Sequence, residues 1–192
     1  RRHISDIDIK KLVKKLRIPL NLEMALTNEM LNIAISSNVN RVCLVPEKRK
    51  EITTEGGLNV IKNKKKILNF AKKLKENNVS VSVFVDPNIK QIKVCKDLKI
   101  SSVELHTGGF CDNKRNKRYE YEKLKKSAIF AKKNNIECHA GHGISYETVG
   151  KIAKINEITE LNIGHFIIGE AVFTGLKESI LKMRRIIDNS RK

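Results

Sequence analysis

Strand-like and helix-like segments alternate along the whole chain, and this alternation is the feature that most limits its fold. Six short apolar or alternating segments are predicted strands, and each is followed by apolar residues at helical spacing. The predicted strands are residues 20–24, 41–45, 79–85, 102–106, 136–140 and 161–163. One further helix, with Ser5 as its N-cap, precedes the first strand, and Thr27 is the predicted N-cap of the next helix. Gly108-Gly109 is predicted to lie in a loop, and Gly164 to Gly169 to connect the last strand to the C-terminal helix. Strict alternation of this kind predicts an α/β fold, in which helices cover a parallel sheet.

The number of strands points to an incomplete closed barrel. A barrel of eight strands and eight helices needs two more strands, and typical examples run to about 250 residues. The chain has 192 residues and begins with Arg1, immediately before a helix. We therefore expect a parallel (β/α)8 TIM-type barrel that lacks its first strand, first helix and second strand in this chain. No linker-like or low-complexity segment interrupts residues 1–192, so they are predicted to form a single, N-terminally incomplete domain.

The strong positive charge suggests nucleic-acid binding, but the distribution of the charge favours another explanation. Lysine and arginine together number 39 against 21 acidic residues, which gives a formal charge of +18. The lysines are spread along the predicted helices instead of being gathered in one arm, which is typical of solvated helix faces. Aromatic residues make up only 5% of the chain, which leaves little material for stacking on bases. A basic nucleic-acid-binding module is therefore kept only as the non-enzyme alternative.

Two further classes are disfavoured by the sequence. No apolar run approaches the roughly 20 residues that a membrane-spanning helix needs, and no apolar segment near Arg1 resembles a signal peptide. The four cysteines show neither a C-x-x-C pair nor zinc-finger spacing. Two of them, Cys43 and Cys138, lie in apolar runs, where a free thiol behaves as a small hydrophobic group. We predict a cytoplasmic protein with reduced thiols and no membrane partner.

Polar side chains gather at or near the ends of the predicted strands, where parallel β/α folds bind their ligands. These side chains are Glu23, Glu104, His106, His139, His142 and His165. A carboxylate facing a sheet interior is costly unless it is paired or solvated, which favours functional roles for the two glutamates. His142 lies between two glycines that would let its backbone approach a ligand closely, whereas His139 alternates away from it and is interpreted as a packing residue. For His106, a structural hydrogen bond and a role in the site are equally favoured interpretations.

Two loops are predicted to contact a ligand. Gly164 and His165 follow the last predicted strand, where barrels bind phosphate beside the N–H groups of a helix N-terminus. Residues 46–59 form the longest irregular segment and include Thr53 and a glycine pair that could act as a hinge, which is typical of an active-site lid. A solvated surface loop is the alternative interpretation of the same segment.

Taken together, these residues predict acid/base chemistry by glutamate and histidine on small phosphorylated carbonyl compounds. The alternative in another enzyme class is a metal-dependent barrel hydrolase with His106, His142, Glu23 or Glu104 as ligands. Neither an H-x-H strand motif nor an H-E-x-x-H helix motif is present to support that alternative.

Six segments of the chain resemble, in order and in spacing, those of one known family. They are residues 21–25 (NLEMA), 44–49 (LVPEKR), 53–57 (TTEGG), 104–108 (ELHTG), 140–143 (AGHG) and 161–165 (LNIGH). On these segments the chain resembles the pyridoxine 5′-phosphate synthase family of vitamin B6 biosynthesis. The resemblance implies a β/α barrel that assembles into octamers. It also implies condensation of 3-amino-2-oxopropyl phosphate with 1-deoxy-D-xylulose 5-phosphate to give pyridoxine 5′-phosphate, phosphate and water, without a metal or organic cofactor.

The resemblance also implies a role for each matching residue. Glu23 matches a proton acceptor of the family, His142 its proton donor, and Glu104 a carboxylate that stabilises a transition state. His3 and Thr53 match residues that bind the deoxyxylulose phosphate. Gly143, Gly164 and His165 match the site for the aminooxopropyl phosphate.

The chain departs from the family pattern at its beginning. In the family, the first strand carries an Asn, an Asp-His pair and an Arg that bind substrate, and the second carries a His proton acceptor and an Arg. None of these residues is present before Arg1. The hypothesis that follows is a barrel fragment with one of three proton-transfer residues missing, impaired turnover and exposed strand edges prone to aggregation.

Overall fold

The structure is a computed structural model that describes residues 3–46, 56–112 and 115–192. Its strands are β1 Asn21–Ala25, β2 Arg41–Val45, β3 Ser80–Val85, β4 Ser102–His106, β5 Glu137–Gly141 and β6 Ile158–Asn162. Its helices are α1 Asp6–Lys15, α2 Asn28–Ser36, α3 Lys64–Glu76, α4 Ile89–Asp97, α5 Gly108–Asp112, α6 Lys117–Lys133, α7 Tyr146–Ala153, α8 His165–Thr174 and α9 Leu176–Ser190.

The strands follow one another in chain order in one six-stranded sheet. β1 pairs in parallel with β2, β2 with β3, and β5 with β6. Parallel neighbours joined by helical crossovers are the repeating unit of a β/α barrel. The predicted α/β class, with six parallel strands that alternate with helices, is confirmed.

The chain divides into two compact units, one formed by residues 1–86 and 90–104 and the other by residues 87–89 and 105–192. Strand β4 runs from the first unit into the second. The single domain expected over residues 1–192 stays a prediction.

The core of the first unit lies on both faces of β2 and β3. β2 is buried from Val42 to Val45, and β3 is buried from Val81 to Val85. Strands covered on both sides carry continuous apolar runs instead of an alternating pattern, which explains their sequences. Helix α3 contributes Ile67, Phe70 and Leu74 at helical spacing, so its apolar stripe is buried while its lysines stay in water.

The ends of the first two helices follow the predicted capping residues. Ser5 caps α1 by a capping box with Asp8, since each residue's side chain bonds to the other's backbone N–H. Thr27 caps α2 by accepting a hydrogen bond of 3.3 Å from the Met30 N–H. These caps fix where the two helices on either side of β1 begin along the chain.

The second unit is built around β5. Helix α6 buries Leu124, Ala128 and Ala131, and helix α7 buries Val149 and Ile152. A hydrogen bond from the Tyr146 hydroxyl to the Ser179 carbonyl joins the start of α7 to α9. Small alanines on α6 let this long helix lie close to its neighbours.

Three predictions of local structure in the second unit were wrong. Gly108 and Gly109 were expected in a loop, but they begin α5, because the Thr107 carbonyl accepts hydrogen bonds from the Phe110 and Cys111 N–H groups. The last strand was predicted at residues 161–163, but it lies at Ile158–Asn162 and so begins three residues earlier. Gly164 to Gly169 was expected to be a connection, but Gly164 is the N-cap of α8 and Gly169 lies inside that helix.

None of the helices in the three described ranges combines the length and the apolar character needed to cross a membrane.

Candidate active site

A row of polar side chains crosses the first unit from strand to strand. Glu23 is in register with Cys43 on the neighbouring strand, and Cys43 is in register with Ser82 on the next. Paired residues of parallel strands have their side chains on the same face of the sheet. On β4, Glu104 accepts a hydrogen bond from the Cys43 thiol, with 3.6 Å between Sγ and Oε2. We refer to Glu23, Cys43, Ser82 and Glu104 as the carboxylate row.

The two carboxylates of the row have different surroundings. Glu104 is only 4% exposed, in the middle of a strand that is covered on both sides. Glu23 is exposed on β1, which lies at one end of the strand order among the described residues. The structure therefore places one glutamate in the interior and the other in contact with water, although the sequence suggested that both could face inward.

The thiol between these carboxylates is held in its neutral form. Burial raises the pKa of Cys43 well above its usual value, and the negative charge of Glu104 raises it further. A hydrogen bond from Ser82 acts in the opposite direction, and the charge of Glu23 adds to the upward shift. Since a neutral thiol can donate its proton in a hydrogen bond, the row consists of a donor next to a buried acceptor.

Two predicted histidines meet in the second unit. The rings of His106, at the end of β4, and His142, just after β5, have their centroids 4.7 Å apart at an angle of 46°. Both side chains are partly exposed, so a ligand in solution can reach them. We refer to them as the histidine pair.

The backbone around His142 has an uncommon conformation. Its φ angle is +76°, in the left-handed region that few non-glycine residues adopt. Thr107 stabilises this turn, since its hydroxyl lies in hydrogen-bond contact with the carbonyl oxygens of Gly141 and His142. The Thr107 N–H also donates to the Gly141 carbonyl at 2.9 Å. The turn that presents the His142 ring is therefore fastened to the end of β4 by one threonine.

Gly108 is required by the histidine pair, which leads to a first prediction. A Cβ atom at position 108 would lie 2.8 Å from Nε2 of His106 and 3.1 Å from Cδ2 of His142. We expect Gly108→Ala to push both rings apart, with a stability loss of about 1–3 kcal/mol. Histidine ring signals in NMR spectra should move in this variant.

Gly109→Ala is the matched control for Gly108→Ala. A Cβ atom at position 109 would meet only the flexible carboxylate end of Glu120, which can swing away. If the ring signals of His106 and His142 stayed in place in Gly108→Ala, the close packing of the pair would be contradicted.

The other residues predicted for the site are placed as follows. His3 is exposed in front of α1, and Thr53 lies outside the described residues. Gly164 and His165 are both exposed and form the N-cap and the first residue of α8. Gly143 follows His142 with a φ angle of +74°. Their roles in binding stay predictions.

His139 is buried, as its alternation with His142 predicted. Its side chain is 3% exposed, and its Nε2 and Nδ1 atoms lie 3.3 Å and 3.6 Å from carboxylate oxygens of Glu137 and Glu160. Neither contact has hydrogen-bond geometry. His139 therefore sits inside the second unit, with its ring close to two partly exposed carboxylates.

Sequence reasoning missed three residues that shape these groups. Cys43 was interpreted only as a small hydrophobic residue, and Ser82 and Thr107 were not considered. Alternation within β2 groups Cys43 with Arg41 and Val45, but it does not show which residue of β2 lies beside Glu23 on β1. The register between strands, which only the structure shows, was the missing signal.

Within residues 3–46, 56–112 and 115–192, no group of three or more His, Cys, Asp or Glu residues is arranged to hold a metal ion. The metal-dependent hydrolase alternative therefore has no candidate ligand set among those residues.

Comparison with solved structures agrees with the fold. The EAL domain of Xanthomonas citri FimX, solved with c-diGMP, matches with a TM-score of 0.58 at 10% identity, over 81% of this chain and 63% of that one. A xylose isomerase domain protein from Planctomyces limnophilus matches with a TM-score of 0.54 at 12% identity, over 90% and 72%. At these identities the likeness shows the fold alone.

Comparison of sequences is far more specific. A protein named pyridoxine 5′-phosphate synthase from Pelagibacter ubique is 50% identical over 189 residues, which are 97% of this chain and 79% of the relative. Proteins of the same name from Sulfurihydrogenibium sp. and Ehrlichia canis are 47% and 48% identical, over 100% and 97% of this chain and 81% and 78% of the relatives. The family model of pyridoxal phosphate biosynthesis protein PdxJ matches residues 1–189. The resemblance inferred from six short segments thus extends over nearly the whole sequence, and the chain belongs to the PdxJ family.

Proposed function

We propose that this protein is a pyridoxine 5′-phosphate synthase, which condenses 3-amino-2-oxopropyl phosphate with 1-deoxy-D-xylulose 5-phosphate and releases pyridoxine 5′-phosphate, phosphate and water. The names of the relatives support the activity. The observation that carries the chemistry is the carboxylate row, in which two glutamates share one face of the first unit but differ in exposure.

Two carboxylates can take different roles in one reaction when one is buried and the other is solvated, because burial and solvation affect how readily each group exchanges protons. Glu23 is exposed and can pass a proton to and from water, so we assign it the role of proton acceptor. Glu104 is buried and held by a thiol, so we assign it the stabilisation of positive charge that develops on the substrate.

The second unit supplies the proton donor and a phosphate site in this proposal. An imidazole titrates close to neutral pH, and His142 is partly exposed on a fixed turn, which suits it to protonate a leaving group. Gly164 and His165 start α8 without a side-chain cap, so the backbone N–H groups of its first turn are available for an anion. Gly143 would bind the same substrate, and His3 and Thr53 the other.

Each step of the reaction depends on proton transfer. Formation of an imine, closure of the ring by a carbon–carbon bond, loss of water and loss of phosphate each require a proton to be placed or removed at a defined atom, which positioned carboxylates and imidazoles do. We therefore propose no cofactor and no metal for the reaction. The partners we propose are the two phosphorylated substrates and further copies of the chain in an octamer, in the cytoplasm.

The test is the appearance of pyridoxine 5′-phosphate, followed by absorbance or fluorescence, when the chain meets both substrates. The Pelagibacter ubique relative serves as the positive control of the assay. We expect product from the wild-type chain and a loss of roughly 10²–10⁴-fold in Glu23→Gln.

Glu76→Gln is the matched control, because Glu76 is an exposed glutamate at the end of α3. It should leave the rate unchanged. A wild-type chain that gives no product while the relative does would contradict the proposal, and so would a Glu23→Gln variant as active as Glu76→Gln.

A further inference from the structure

The carboxylate row contains a buried thiol to which the proposed chemistry gives no role. Cys43 is fully buried, lies between Glu23 on one side and Ser82 on the other by strand register, and donates a hydrogen bond to Glu104. We propose that Cys43 is a positioning residue, whose thiol holds the Glu104 carboxylate in its ionised form and in the orientation that the reaction uses. This inference rests on the proposed function.

The position of Cys43 is set by the sheet itself. It is the central residue of β2, with paired strands on both sides and neighbours Val42 and Leu44 that are fully buried. A side chain on such a strand has little freedom to move. The hydrogen bond from the Cys43 thiol therefore restricts the orientation of the Glu104 carboxylate. The Ser82 hydroxyl, beside it on β3, donates to the Val42 carbonyl at 3.2 Å and limits the space further.

The charges around Cys43 make the thiol a donor and not a nucleophile. Burial is the main cause that raises the pKa of its thiol, and the carboxylates of Glu104 and Glu23 add to it. A reactive cysteine needs the opposite surroundings, with positive charge and access to solvent. The side chain therefore stays protonated, and its S–H group is directed to the Glu104 carboxylate.

A hydrogen bond from a neutral donor favours the charged form of a carboxylate. Glu104 is 4% exposed, so water offers it little compensation if this donor is lost. Removal of the thiol should therefore let Glu104 take up a proton at a higher pH and should loosen its orientation. Both effects lower the fraction of enzyme that can stabilise positive charge on the substrate.

Two substitutions distinguish the hydrogen bond that the Cys43 thiol donates from the contribution of its side chain to packing. Cys43→Ala removes the donor, whereas Cys43→Ser keeps one in a side chain of similar size. We expect kcat to fall roughly tenfold in Cys43→Ala, which corresponds to about 1.4 kcal/mol, and to recover to within about threefold of wild type in Cys43→Ser. The acid limb of the pH–kcat profile should move to higher pH in Cys43→Ala only.

Cys95→Ala is the matched control for the loss of a buried thiol. Cys95 is also fully buried, but it lies on α4, and burial is the cause that raises its pKa, to about 12. The variant should lose stability as Cys43→Ala does and keep the wild-type pH profile.

A readout that needs no turnover tests the hydrogen bond directly. The S–H stretching band of Cys43 can be assigned in the infrared spectrum by its absence in Cys43→Ser. We expect it at a lower frequency than the Cys95 band, because the acceptor is a carboxylate, and we expect it to rise in Glu104→Gln.

The outcomes separate this inference from the proposed function. An active wild type whose Cys43→Ala variant matches Cys95→Ala in kcat and pH profile would overturn the positioning role and leave the proposed function standing. A chain without activity, whose S–H band nevertheless moves in Glu104→Gln, would support the hydrogen bond and refute the proposed function. A band that does not respond to Glu104→Gln would overturn the inference by itself.

Discussion

Replacement of His142 by asparagine is expected to lower kcat by roughly 10²–10⁴-fold while the fold remains intact. The imidazole is the group that we assign as proton donor, and an amide cannot replace it. Asparagine tolerates the left-handed backbone conformation better than most residues, so the turn at φ +76° should be preserved. Product formation and the free energy of unfolding in urea are the two measurements.

A second substitution at the same position separates chemistry from backbone strain. His142→Ala also removes the imidazole, but alanine is less tolerant of a positive φ angle, at a cost of about 1–2 kcal/mol. Both variants should therefore lose activity to a similar extent, and only the alanine variant should lose stability. Activity in His142→Asn equal to that of wild type would rule out His142 as the proton donor.

Most of the sheet could be predicted from the sequence, because its strands differ sharply from the helices. The apolar run at Arg41–Val45 and the segment Ser102–His106 were predicted at their observed bounds, since buried parallel strands are bounded by polar residues. Ser5 and Thr27 marked helix starts correctly, because their side chains compete well for the free N–H groups of a first turn.

The region around β6 was harder to predict for a physical reason. β6 is the end strand of the order and carries exposed polar residues such as Thr159, so its apolar signal is weak. The Arg191 guanidinium donates to the Ile158 carbonyl at the start of this strand, a contact between distant residues that no local pattern reveals. In α8, Gly169 lowers the helix propensity by about 1 kcal/mol, which explains why the sequence pattern predicted a connection where the structure has a helix.

For the candidate site, the sequence showed which residues bear chemistry but not how they are grouped. It placed Glu23, Glu104, His106 and His142 near strand ends, and the structure groups the glutamates with Cys43 and pairs the histidines. These groupings depend on register between strands and on one positive φ angle. Both are tertiary properties that composition and spacing do not contain.

Replacement of Gly57 by alanine is expected to give the largest loss of stability among the substitutions discussed. A Cβ atom at this position would lie 2.0 Å from the Asp86 backbone nitrogen and 2.4 Å from the Val85 carbonyl carbon. These atoms belong to the end of β3 and its continuation, so no side chain can move to make room. We expect a loss of roughly 3 kcal/mol, measured by urea unfolding.

Two hydrogen bonds from backbone N–H groups hold Gly57 and the next residue against the end of β3. The Gly57 N–H donates to the Asp86 carboxylate at 2.9 Å, and the Leu58 N–H donates to the Phe84 carbonyl at 2.7 Å. The clash also displaces these two hydrogen bonds, which adds to the loss of stability. Gly169→Ala is the control, since nothing lies within 4 Å of a Cβ atom there, and it should stabilise the protein by up to about 1 kcal/mol. Equal stability of Gly57→Ala and Gly169→Ala would mean that Gly57 does not approach the end of β3 as closely as the structure shows.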